Sequence, residues 1–451
     1  MKRVLGTCLV LCAVIFGAGP ARADEATDWT RELLRAALIV GTSPTNVTRA
    51  AAMLNVSVFD AVNGIEGRYS YFRVAPTELA RGSKRAAAVE AAYVVLTKLY
   101  GSGVATPPPA TNAALQNTFD SRRTIALLEI AEDDSASAIE DGKAWGKKVA
   151  EDVLLWRSTD GFATTSAFPD DLTIGKWRRT PNLPASATAL SAAGAGYIQF
   201  SDQLPWAMES DQQFRPGPPP ALNSAQYARE FNETKTMGSL TSTSRTPDQT
   251  ENAIFWATGT GTYIWNDIAI RLIEERDDNG DDHRDFDHSG RRGHRGSLLQ
   301  NARLLAQLNV ASADAIIGCW DSKYTEAYWR PVTAIRDPGD DGNPDTTSDP
   351  TWSPLLVTPG HPEYPSGHSC ASGAAGEILA TAFGDRTTFT AESDLLMGVT
   401  RKYRSFSSAL EEVKNARIYA GIHFRTACDI GQELGVNVAR YVLANKFQRL
   451  H

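Results

Sequence analysis

The run "LLQNARLLAQLNVASADAIIGCWDSKYTEAYWRP", residues 298–331, constrains this chain more than any other stretch. Its apolar residues recur at intervals of three and four, and no proline interrupts it before Pro331. Such a pattern predicts one long helix whose apolar face needs other helices. The rest of the chain supplies them. "TNVTRAAAMLNVSVFDAVNGI" reads as a helix capped at Thr45 and ending near Gly64, and "KRAAAVEAAYVVLTKLYG" as one stopping at Gly101. "SASAIEDGKAWGKKVAEDVLLWRS" and "GTYIWNDIAIRLIEE" carry the same period, and alternating strand patterns are absent. The expected fold class is all-α, with helices packed in bundles and long excursions between them.

Turn chemistry marks the excursions: "ATPPPATN", "RPGPPPALNS", "RDPGDDGNPDTTSDP" and the acidic stretch 277–296. Residues 160–250, dense in Pro, Ser and Thr, are expected to wrap the outside. The stretch "DDNGDDHRDFDHSGRRGHRG" has three histidines and many carboxylates, but lacks the loop spacing of an EF-hand and reads as a solvated loop. The expected organisation is a leader at 1–23, an N-terminal helical region with the loop-rich wrap at 24–245, and a C-terminal helical bundle at 246–451.

Residues 1–23 have a basic start, a short apolar run and "ARA" before Asp24, which reads as a cleaved signal peptide. No later stretch is apolar and long enough to cross a bilayer, so the expected product is secreted or periplasmic, without a stable membrane anchor. Removing Lys2, Arg3 and Arg22 with the leader takes the net charge from −8 to −11, which disfavours nucleic acid as a partner. Cys319, Cys370 and Cys428 remain, too few for a disulfide framework. Oligomeric state is not readable; a homo-oligomer is compatible with the sequence.

Three short motifs carry chemistry. Lys323 and Arg330 are seven residues apart, about 20° from one face of a continuous helix, so two long cations can converge on an anion. Pro331 then stops that helix. In "HPEYPSGHSC", Pro365 reads as a helix start, with Ser366, Gly367 and His368 in or beside the first turn. A helix N-terminus there offers free N–H groups to an oxyanion; Gly367 lets it approach the backbone, Ser366 adds a hydroxyl and His368 can transfer protons. The following "SCASGAAGEILATAF" is small enough for a second helix to approach closely. In "NARIYAGIHFRTACD", Arg417 and His423 lie about 120° apart on a continuous helix, and a break at Gly421 could swing His423 back. Three cations repel a divalent metal, so zinc on His361, His368 and Cys370 fits poorly; the ligand expected is a tetrahedral oxyanion.

Lys-x6-Arg-Pro, Pro-Ser-Gly-His and Arg-x5-His, in that order, resemble the signature of the vanadium-dependent haloperoxidases and type 2 phosphatidic acid phosphatases. "QFRPGPPPAL", "NARLLAQLNVASADAIIGCWDSKY" and "WRPVTAIR" also resemble bacterial haloperoxidase-related proteins. The resemblance implies helical bundles of the haloperoxidase and acid phosphatase type. It implies that His423 is the axial vanadium ligand, or the nucleophile of a phosphatase, and that His368 is the general acid and base. Lys323, Arg330 and Arg417 would neutralise the oxyanion, with Ser366 and the Gly367 amide bonding to it. His361 stands where algal bromoperoxidases also have histidine and the fungal chloroperoxidase has phenylalanine; it would tune the halide or peroxide step. Two positions depart from the phosphatase signature: Ala416 replaces a serine, and Ala427 replaces an acid four residues past the last histidine.

The expected function is therefore oxidation of halide, bromide first, or of a small organic substrate, by hydrogen peroxide at a histidine-bound vanadate. Phosphate can occupy the same pocket. The alternative is an exported acid phosphatase working through a phosphohistidine.

Overall fold

The helix expected over 298–331 begins on time and ends early. The computed structural model describes residues 24–102, 104, 109–164, 167–180, 196–257, 261–278, 297–337, 339, 341–393 and 395–450. Thirteen α-helices run through them: α1 (Glu25–Ile39), α2 (Pro44–Glu66), α3 (Lys84–Tyr100), α4 (Pro109–Ile130), α5 (Ala136–Arg157), α6 (Ala225–Met237), α7 (Pro247–Phe255), α8 (Thr262–Asp278), α9 (Leu298–Glu326), α10 (Pro331–Arg336), α11 (Gly367–Phe383), α12 (Phe406–Tyr419) and α13 (Arg425–Asn445). The all-α reading holds. The sheet found among the described residues is a short antiparallel hairpin, β1 (Phe389–Glu392) with β2 (Thr400–Tyr403), in which Phe389 faces Tyr403. The leader and the acidic histidine-bearing stretch from 279 onward lie outside the described residues.

Ser297 starts α9: its hydroxyl accepts from the Gln300 N–H while the Gln300 side chain accepts from the Ser297 N–H. Such a reciprocal cap contributes about 1 kcal/mol. The helix stops at Glu326, five residues before the expected Pro331 boundary. Ala327 takes a left-handed backbone (φ 49°), and the Lys176 ammonium donates to the Glu326 carbonyl at 2.9 Å. Pro331 opens α10 instead of ending α9, because proline at a first helical position forfeits only an N–H that has no intrahelical partner. Two smaller boundaries also move. Ser43, not Thr45, precedes α2, and α2 passes through Gly64 to a left-handed Gly67 (φ 65°).

α9 is buried along nearly its whole length and packs against α2, α11 and α13. One hydrophobic core joins these helices to α3 and α5. Several polar residues inside it are paired. Asn266 and Asn309 exchange side-chain hydrogen bonds at 3.0 and 2.9 Å, and buried Asp314 accepts the backbone N–H groups of Trp206, Ala207 and Met208 at 2.6–2.9 Å. That last set anchors the loop-rich region to α9. The region does more than wrap the outside: it buries Trp177 and Trp206 and contributes α6 and α7. The small residues of α11 let a second helix, α13, approach closely, as expected. A Cβ on Gly435 would lie 2.0 Å from the Cys370 carbonyl oxygen, so the two backbones nearly touch. A second cluster, including Tyr227, Trp329, Tyr364 and Phe424, packs the segments next to Arg330, Ser366 and His423. Cys319, Cys370 and Cys428 are all buried thiols, with no disulfide between them.

Candidate active site

Helix ends assemble the site. Lys323 lies in the last turn of α9 and Arg417 in the last turn of α12. Arg330 caps α10, Ser366 caps α11, and Gly367 and His368 begin α11. His423 sits in the link between α12 and α13. Lys323 and Arg330 do not share a helix face as expected, because α9 ends between them. They converge through a bend: the Trp329 N–H donates to the Gly175 carbonyl at 3.1 Å, and the extended Arg330 turns inward. Pro365 also moves; it precedes the cap, and α11 starts at Gly367. The break near Gly421 is as the sequence suggested. α12 stops at Tyr419, Gly421 has φ 76°, and His423 leaves the helix.

Lys323, Arg330, Ser366, Arg417 and His423 are all buried, with 0–2% of each exposed. Their electrostatics are unbalanced. The Lys323 ammonium donates to the carbonyls of Pro362 and Glu363, each at 2.9 Å, and to that of Pro365. Arg330 donates to the carbonyls of His361 and Ile422, each at 2.8 Å, and lies against His361 Nδ1 and His423 Nε2. Arg417 donates to the Trp256 carbonyl at 3.2 Å. Among the described residues, every one of these partners is neutral. Burial accordingly drives Lys323 down to about 8, and Arg330 and Arg417 down to about 10. Buried cations without a counter-charge are costly, and an anion removes that cost.

The unpaired atoms say where the anion belongs. Ser366 Oγ, His368 Nε2 and Arg417 Nε are buried without a hydrogen-bond partner. A serine at a helix cap ordinarily accepts an N–H of the first turn with its hydroxyl; Ser366 does not. Its hydroxyl is left for something else. A Cβ on Gly367 would meet Trp320 at 2.8 Å, with Lys323 Cε at 4.0 Å, so glycine there lets the indole and the lysine stem close on the first turn. Donor-only cations, an unused hydroxyl and an imidazole fit a tetrahedral oxyanion such as vanadate or phosphate.

The histidines differ. The His368 ring bonds the Ala257 backbone; burial, then Arg417 beside it, holds its pKa well below the usual value, so Nε2 is a bare base. His361 is buried, with its ring centroid 5.0 Å from that of Trp320 and 6.4 Å from that of Tyr197. His423 is held on both sides: Nδ1 lies 2.9 Å from Glu363 Oε1, and Nε2 lies 3.2 Å from Arg330 Nη1. Glu363 is fully buried, and burial pushes its carboxyl up to about 8. Sequence reasoning passed over Glu363. It stands inside "HPEYPSGHSC", but no spacing rule ties it to a histidine sixty residues on. Two open surface grooves, about 580 Å³ beside Arg31, Leu38 and Arg271 and about 630 Å³ beside Tyr93 and Leu155, contain none of these residues.

Residues 303–451 match the family model described as the VCPO second helical-bundle domain. The chain is 30% identical over 198 residues to the vanadium chloroperoxidase of Curvularia inaequalis, a match covering 37% of this chain and 29% of that one. It therefore spans less than a third of that relative's length. A solved structure described as the first bacterial vanadium-dependent iodoperoxidase superposes with a TM-score of 0.74 at 25% identity, covering 96% of this chain and 99% of that one. A bacterial vanadium-dependent chloroperoxidase in its apo form gives a TM-score of 0.66 at 15% identity, covering 89% and 94%. At that identity the likeness speaks for the fold.

Proposed function

We propose that this chain, which belongs with the vanadium haloperoxidases in its C-terminal bundle and its fold, oxidises halide with hydrogen peroxide at a vanadate held through His423. The observation that carries the reading is the set of three buried cations, Lys323, Arg330 and Arg417, with neutral hydrogen-bond partners only, together with a buried Ser366 hydroxyl that has no partner.

Lys323, Arg330 and Arg417 would hold the oxyanion's charge, Ser366 and the first-turn N–H groups at Gly367 would bond its oxygens, and His423 Nε2 would complete the site. Vanadate, when bound, supplies a Lewis-acid centre at which hydrogen peroxide becomes an oxygen donor to halide. His368, neutral and with Nε2 bare, takes a proton from entering peroxide and returns it to a leaving oxygen. The cations stabilise negative charge in a pocket that excludes water, where fixed donors act strongly. The Trp320 and Tyr197 rings pack against His361, which lies against Arg330. Bromide is the halide proposed, on the imidazole at position 361. Export through the leader at 1–23 belongs to the same proposal, and N-terminal sequencing of protein recovered from the periplasm or medium tests it.

The functional test is to assay the apo-protein for bromide and iodide oxidation, with and without orthovanadate, beside a phosphate-ester assay. Oxidation that requires vanadate supports the reading. Ester hydrolysis without vanadate, and no oxidation with it, would replace it with the phosphatase.

A further inference from the structure

We infer that Glu363 is the positioning residue that fixes His423 as its Nδ1–H tautomer and so presents a bare Nε2 to the oxyanion. The inference rests on the reading of His423 as ligand given above.

Hydrogen-bond roles on both sides of the ring lead to it. Arginine has donors only. Arg330 Nη1, 3.2 Å from His423 Nε2, therefore needs a lone pair on Nε2. The proton of the neutral ring must then sit on Nδ1, which faces Glu363 Oε1 at 2.9 Å. The same Oε1 also accepts the Phe424 N–H at 2.9 Å. An oxygen that receives two N–H groups is the acceptor oxygen of the carboxyl group in either protonation state; any proton it carries is on Oε2, which is buried without a partner. The tautomer therefore does not depend on whether Glu363 is ionised.

The arrangement is rigid from every side. Glu363 is fully buried; its N–H donates to the Tyr328 carbonyl at 2.9 Å, and its own carbonyl accepts from Lys323 at 2.9 Å. The His423 carbonyl in turn accepts from Thr234 Oγ1 at 3.1 Å. One carboxyl group thus ties the loop before α11 to the start of α13 and aims the ring between them. A partner on the far nitrogen both sets the tautomer and raises the basicity of the near one. A purely structural role would be satisfied by accepting the Phe424 N–H alone.

The test uses full-length apo-protein labelled with ¹⁵N-histidine, with His423 assigned by comparison with His423→Gln. Long-range proton–nitrogen spectra should show His423 protonated at Nδ1 and bare at Nε2. Glu363→Ala leaves Arg330 alone to select the tautomer, and should give a weakened, partly averaged Nδ1–H signature with at least about tenfold weaker binding of orthovanadate. Glu363→Gln, whose amide oxygen can still accept both bonds, should restore the wild-type pattern and most of the affinity. A wild-type ring protonated at Nε2 overturns the inference, and this holds even if Glu363→Ala does not fold. So does a folded Glu363→Ala that keeps both the Nδ1–H signature and wild-type affinity. Halide oxidation is not a readout here. The expected spectra and affinities in a protein that oxidises no halide would support the role of Glu363 and refute the peroxidase.

Discussion

Arg330 Nη2 lies 3.0 Å from His361 Nδ1. Arginine can only donate, so Nδ1 is bare. Burial, with Arg330 and Lys323 alongside, holds His361 well below the usual histidine range, and the ring is neutral. The Pro362 carbonyl oxygen lies 3.2 Å from the same nitrogen, a longer contact than the one to Arg330. His361 thus braces a cation of the oxyanion pocket. His361→Ala is expected to change bromide turnover and also to weaken orthovanadate binding by about fivefold, the worth of one ordinary hydrogen bond. Unchanged affinity in a direct titration would leave His361 as a wall of the pocket only.

Lys323 gives the pocket a pH dependence. Burial takes its pKa down to about 8; Cys319, Glu363 and Cys370 push it back up and Arg330 pushes it further down. The unfolded chain keeps that proton to about 10.5. Between these values the unfolded state holds more protons, so the unfavourable contribution of Lys323 to stability shrinks as pH rises. Anion binding runs the other way: the ammonium is complete below pH 8 and lost above it. Orthovanadate affinity should fall above pH 8 by up to about tenfold per unit. Lys323→Met, titrated in parallel, should lack that part of the slope whatever the ligand's own ionisation does. Glu363, held up to about 8 by burial, ionises in the same range and acts in the same direction, so some slope persists. Identical slopes in the two proteins would remove Lys323 from the site.

Ser366→Ala separates binding from stability. The hydroxyl has no partner within the protein, so its loss should change the unfolding free energy by less than about 0.5 kcal/mol. A hydrogen bond to a charged oxyanion is worth more, and affinity should fall about tenfold. Denaturant melts and a vanadate titration check both halves. A large loss of stability would mean that the hydroxyl serves the helix.

Gly421→Ala should damage both properties. Its φ of 76° suits glycine, and a Cβ there would lie 2.4 Å from the Gly238 carbonyl oxygen. A cost above about 2 kcal/mol is expected, together with weaker vanadate binding, because His423 follows two residues later. Wild-type melting and binding in this variant would show that the bend does not position the ring.

The parts of the site legible in the sequence are those whose chemistry is local. Ser366, Gly367 and His368 share one helix start, and a glycine between Arg417 and His423 signals a helix that ends. The Lys323–Arg330 pair was legible for the wrong reason. Helical spacing suggested one face, whereas a left-handed Ala327 breaks the helix between them, and nothing about alanine announces that conformation. The break follows from tertiary contacts at Lys176 and Gly175. Glu363 was invisible as a partner because its role exists only once α11 and α13 have packed. The all-helical class was legible because it rests on periodicity repeated over many segments, which no single contact can overturn.

If the proposed pocket works as described, halide oxidation depends on vanadate. The most direct measurement is the rate of bromide and iodide oxidation by hydrogen peroxide as orthovanadate is titrated into phosphate-free apo-protein. The expected result is a negligible rate at zero vanadate, saturation at one vanadate per chain, loss of all activation in His423→Ala, and competition by added phosphate. Failure of vanadate to activate oxidation of either halide, with phosphate esters hydrolysed in its absence and vanadate acting as an inhibitor, would contradict it.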